Sequence, residues 1–108
     1  MAEKKVLMIV KVDTVWSSLE EFNEQWGRVN LPFWEENGAK HIGSFINYLG
    51  SNKNQIIRLF EFESRDHWHK FMELREKMFN SEEGRQSLGN TVKFIERLEE
   101  SVWLSVYK

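Results

Sequence analysis

The hydrophobic pattern of this chain alternates between strand-like and helix-like spacing. Val6 to Val12 is a short β-branched run, apolar on both sides except at Lys11, and predicts a central strand. Ser17 and Ser18 offer an N-cap, with Glu20 and Glu21 three residues on at capping-box spacing. Leu19, Phe22, Trp26, Val29 and Phe33 then recur at three- and four-residue steps, one buried stripe of a long helix. Pro32 interrupts it, so a kink or break is expected near Leu31. Asn37-Gly38 ends it, with Gly38 free to take the left-handed conformation. Ala39 to Leu49 and Gln55 to Glu63 read as strands joined by the turn chemistry of Gly50-Ser51-Asn52-Lys53-Asn54. Ser64 caps a second helix whose stripe is Trp68, Phe71, Met72, Met78 and Phe79. Ser81 to Leu88 predicts a short helical turn, Asn90 or Thr91 a helix restart through Val92, Ile95 and Leu98, and Ser101 to Tyr107 a last strand.

The order strand, helix, strand, strand, helix, strand is two strand–helix–strand units in succession. It predicts an α+β fold of the ferredoxin-like kind, a split βαβ arrangement. Residues 1–108 are expected to form one domain, with a four-stranded antiparallel sheet, strands one and three central and both helices on one face.

That leaves a bare face. Side chains alternate across a strand, and the smaller aliphatics Val6, Met8, Val10, Val12, Ile57, Leu59, Val102, Leu104 and Val106 suit the helix-facing side. The other set is Leu7, Ile9, Ile56, Phe60, Phe62, Trp103 and Tyr107. Burying each is worth about 1.5–3 kcal/mol, and a monomer rarely exposes so large a patch. A second copy packed sheet against sheet is the simplest cover, with a cavity expected between the two layers. Lys11 and Arg58 share the parity of this face. Buried cations are costly unless paired or bound to an anion. They therefore predict either an anion site in that cavity or, as the plainer reading, side chains that snorkel to the rim or pair with Glu61 or Glu63 across the dimer.

Composition narrows the function classes. Of 108 residues, 30% are charged and 41% hydrophobic, with net charge −2 and both signs interspersed. No basic block exists, which argues against nucleic acid as a partner. There is no cysteine, so no disulfide or thiolate site. The N-terminal apolar stretch is too short for a membrane span, and a cytoplasmic location is expected. The aromatic share is 14%, with five Trp and eight Phe, more rings than two helices over a small sheet easily hide.

Candidate chemistry is sparse. His67 and His69 are two apart on a helix, so they point apart and cannot chelate one metal; no metal or cofactor is expected. His41, on the parity of Phe45, Asn47 and Leu49, has the pKa range of a general base but no named carboxylate partner. His41 and Arg58 are the catalytic candidates; Lys11, Arg58, Phe60, Phe62, Trp103 and Tyr107 are the ligand-binding ones.

With these elements placed, the chain resembles the dimeric α+β barrel superfamily, and within it the NIPSNAP-like proteins. The resemblance covers nearly the whole chain. It is carried by Leu31-Pro32-Phe33-Trp34-Glu35-Glu36-Asn37-Gly38, by Gly43 and Gly50, by Arg58-Leu59-Phe60-Glu61-Phe62-Glu63-Ser64, and by Leu98-Glu99-Glu100-Ser101. Members commonly carry His-x-aromatic on strand three, where this chain has Arg58. The resemblance implies a homodimer with a cavity in each subunit, and no particular reaction. Relatives include cofactor-free monooxygenases, isomerases, cyclases and haem-degrading enzymes. The haem-degrading pattern needs an Asn on strand one and a His on the second helix region; strand one has no Asn, and no His follows His69.

Two readings follow. In one, the chain binds or transforms a small aromatic or anionic molecule in a cavity between sheet and dimer partner; any catalysis there would be monooxygenase- or isomerase-like without a cofactor. In the other, it is a homodimeric interaction module whose aromatic face serves assembly alone.

Overall fold

The computed structural model describes residues 4–15, 19–50, 54–87 and 93–106. Four strands, β1 (Val6–Thr14), β2 (Lys40–Ile46), β3 (Gln55–Phe62) and β4 (Ile95–Leu104), form one sheet in the order β2-β3-β1-β4. Every neighbouring pair is antiparallel. β1 and β3 are central, as the pattern predicts. The α+β, ferredoxin-like architecture expected from the element order is the one observed.

The first helical segment has three parts: α1 (Leu19–Gln25), a π-helical turn over Trp26–Asn30, and α2 (Leu31–Glu36). The irregularity expected near Leu31 is this π-helical turn, which ends at Asn30. Pro32 has no N–H to return to the Arg28 carbonyl, and the Leu31 N–H bonds instead to the Trp26 carbonyl, five residues back. Gly38 ends the segment at φ 96°, the left-handed conformation its position required. α3 (Arg65–Asn80) starts at Ser64, whose hydroxyl accepts from the His67 N–H at 3.3 Å. α4 (Glu82–Ser87) is the short turn expected there. The Ser17–Ser18 cap, the proposed restart at Asn90–Val92 and Tyr107 lie outside the described residues. Ile95 and Leu98, expected on a helix, belong to β4. Pairing with β1 overrides their helical spacing, with Leu98 opposite Val12.

The sheet faces do not divide as the side-chain sizes implied. Val6, Met8, Val10 and Val12 do lie under the helices, but their β3 partners there are Phe62, Phe60, Arg58 and Ile56. Ile57 and Leu59 fall on the open face, opposite Lys11 and Ile9. The helix layer explains the inversion. It consists of large rings, Phe22, Trp26, Trp34 and Phe71, and these need large partners. Trp34 stacks on Phe60 with centroids 4.1 Å apart, and Phe71 packs on Phe62 at 5.3 Å.

Candidate functional site

Between the sheet and its own helices lies a cavity of about 350 Å³. β1 supplies Val10 and Val12, β4 supplies Ile95, Leu98 and Glu100, and the first helical segment supplies Phe22, Trp26, Asn30, Phe33 and Trp34. α3 adds Arg75 and Phe79, and β3 adds Arg58. A mostly apolar cavity with a few convergent polar groups is the usual form of a small-molecule site.

Arg58 is its deepest polar group, with 1% of its surface exposed. Its position follows from β3 parity between Ile56 and Phe60. The guanidinium lies 3.6 Å from the Trp26 ring centroid, a cation–π contact, and 5.4 Å from that of Phe22. Nη1 donates to Asn23 Oδ1 at 3.1 Å and to Ser44 Oγ at 2.8 Å. Nε and Nη2 are buried and have no hydrogen-bond partner among the described residues. No carboxylate among those residues pairs with it, and burial pulls its pKa down to about 9. At neutral pH the cavity thus holds an uncompensated cation.

Behind Arg58 runs a hydrogen-bond chain to His41. The β2 register shifts between His41 and Gly43, a bulge. It brings His41, opposite Phe60, and Ser44, opposite Arg58, onto the inner face, and places Phe45 on the open one. The expected common parity of His41 and Phe45 is thereby broken. His41 Nε2 and Ser44 Oγ are 2.8 Å apart. Ser44 Oγ accepts from Arg58, and its second lone pair and its hydrogen can each meet Nε2, so the His41 tautomer sets the direction of that bond. Burial first and the Arg58 charge second lower the His41 pKa from 6.5, against weaker raising effects from Glu35 and a Gly43 backbone hydrogen bond.

At the more exposed end of the cavity, Arg75 donates from Nη1 and Nη2 to the two Glu100 oxygens at 2.6 and 2.8 Å. This two-pronged pair joins α3 to β4 and neutralises the cavity's other cation. Among the described residues no group of three metal-binding side chains converges, and no helix is long and apolar enough to cross a membrane.

The expected ligand-binding residues do not come together. Phe60 and Phe62 are core residues that do not line the cavity. Lys11 lies on the open face between Ile57 and Glu99. Trp103 is on that same face, opposite Leu7 and 57% exposed. Arg58 alone among the described members of the set lines the cavity. Asn23, Ser44, Trp26, Arg75 and Glu100 were not read as site residues; Gly43 inside a strand was the one available sign of the bulge that aligns Ser44 with His41.

Residues 13–107 match the family model described as NIPSNAP. The chain belongs to the NIPSNAP family. Solved structures agree on the fold. A NIPSNAP family protein from Agrobacterium tumefaciens superposes with a TM-score of 0.77 at 15% identity, over 98% of this chain and 90% of that one. An uncharacterized NIPSNAP domain protein from Burkholderia xenovorans gives 0.76 at 13% identity, over 94% of each. A dimeric ferredoxin-like protein from an uncultured marine organism gives 0.69 at 19% identity, over 98% of this chain and 91% of that one. No curated protein matches the chain. Where the family resemblance leads one to expect His-x-aromatic on strand three, this NIPSNAP chain carries the buried Arg58.

Proposed function

We propose that this NIPSNAP protein binds a small organic anion with an apolar body in the cavity between its sheet and its helices. The reading moves the expected site from the dimer face to the helix side. One observation carries it: Arg58, 1% exposed, stands on the wall of a cavity lined by rings, and two of its guanidinium nitrogens have no partner among the described residues. An unpaired buried cation is costly, and an anion between the Arg58 donors offsets that cost. The test is a thermal-shift and native mass spectrometry screen of small organic anions on the wild type and on Arg58→Met. Anions that stabilise and add mass to the wild type alone support the proposal. Equal responses in both proteins refute it.

We further propose that the open sheet face packs against a second copy. Leu7, Ile9, Ile57 and Leu59 share that face with the exposed rings of Phe45 and Trp103. A contiguous apolar surface of this kind marks an interface, and the marine ferredoxin-like neighbour is described as dimeric. Sedimentation velocity at micromolar concentration tests it, a dimer supporting the reading and a monomer refuting it.

A further inference from the structure

Resting on the reading of Arg58 as the anion's partner, we infer that the anion is a monocarboxylate on an aromatic or branched apolar body, not a phosphate or other dianion. Four features of the site select for it.

The first is which donors remain. Nη1 has two hydrogens, and Asn23 Oδ1 and Ser44 Oγ take both. Nε and Nη2 are left, adjacent on one edge of the plane. Two parallel, coplanar N–H groups match the two oxygens of a carboxylate.

The second is the direction of approach. Trp26 lies against the guanidinium at 3.6 Å, covering one of its faces. The head group must therefore arrive in the guanidinium plane, alongside the indole. A flat carboxylate fits that layer, and it extends the plane without meeting the ring. A tetrahedral head group carries oxygens out of the plane on both sides.

The third is charge. The cavity offers one uncompensated positive charge, because Arg75 is held by both Glu100 oxygens. One negative charge is matched by Arg58. A second would face a lining of apolar side chains such as Val10, Val12, Ile95 and Leu98, together with the acid Glu100. An ion left unpaired in such surroundings is strongly disfavoured.

The fourth is the body of the ligand. Phe22, Phe33, Trp34 and Phe79 line the remaining volume. Rings accept another ring edge-on or offset, and the cavity's volume is within the range that encloses small ligands.

The test is isothermal titration calorimetry on the full chain with phenylacetate, phenyl phosphate and phenylacetamide. Phenylacetate should bind at least about tenfold more tightly than phenyl phosphate, and phenylacetamide should give no measurable heat. Arg58→Lys keeps the charge but loses the fork, and should weaken phenylacetate about tenfold or more; it also serves if Arg58→Met does not fold. Glu100→Gln frees Arg75 and should narrow the gap between carboxylate and phosphate. Phenyl phosphate binding as tightly as phenylacetate, and still dependent on Arg58, would overturn the carboxylate assignment while leaving the anion site intact. Binding by none of the three, or binding indifferent to Arg58, would overturn both.

Discussion

Arg58 lies over Trp26 at 3.6 Å, yet two of its three guanidinium nitrogens have no partner among the described residues. Cation–π contact is worth about 2 kcal/mol when desolvated. Replacing an ionic group in a protein interior by an apolar one of similar volume is often neutral or favourable. Arg58→Met is thus expected to stabilise the unliganded protein by about 1–2 kcal/mol, after allowance for the lost bonds to Asn23 and Ser44. Urea unfolding checks it. A loss of stability would show that the Trp26, Asn23 and Ser44 contacts outweigh the cost of burying the charge, and the binding test would then rest on Arg58→Lys.

The chain from Arg58 through Ser44 to His41 makes the site sensitive to pH. His41 has its folded pKa below the usual 6.5 because of burial and the Arg58 charge. The folded state therefore holds the neutral form. This contribution to stability is complete above pH 6.5 and is lost as pH falls through the lowered value. An anion on Arg58 cancels part of the repulsion and raises the His41 pKa, so binding should take up protons. Affinity should increase as pH falls across that window. Calorimetry in buffers of differing ionisation enthalpy measures the uptake, and His41→Phe should abolish it.

The Arg75–Glu100 pair joins α3 to β4 at the edge of the cavity. Its removal in Arg75→Met should cost about 1 kcal/mol or less in stability. It should leave Glu100 unpaired near the bound anion and weaken anion binding. Thermal melts with and without phenylacetate separate these two effects.

The open face gives an independent prediction. Trp103→Glu places a charge among Leu7 and its neighbours on the sheet. A Trp buried at an interface commonly contributes about 2 kcal/mol or more, roughly thirtyfold in Kd. Sedimentation should show a dimer weakened by at least that factor, with phenylacetate binding retained, since Trp103 does not line the cavity.

Strand order, central strands, the Ser64 cap and the Gly38 stop were all legible in the sequence, because each rests on local spacing or on one residue's backbone freedom. The site was less so. Both sides of β3 are apolar apart from Gln55, Arg58 and Glu61, so alternation alone could not say which side meets the helices. Ring packing of Trp34 on Phe60 decides that, and it is a tertiary contact. Lys11 and Arg58 were expected to share a face with Trp103; the observed parity separates them. The His41–Ser44 pairing depends on a one-residue bulge, which strict period-two reading places out of reach. β4 shows the opposite failure, in which helical spacing at Ile95 and Leu98 yields to pairing with β1.

The most direct test of the helix-side site is a nuclear magnetic resonance titration with phenylacetate, following Arg58 Nε–H and the tryptophan indole N–H signals. Progressive shifts of Arg58, Trp26 and Trp34, with Trp103 unchanged, are the predicted result. Shifts confined to Trp103 would place the ligand on the open sheet face and contradict the account.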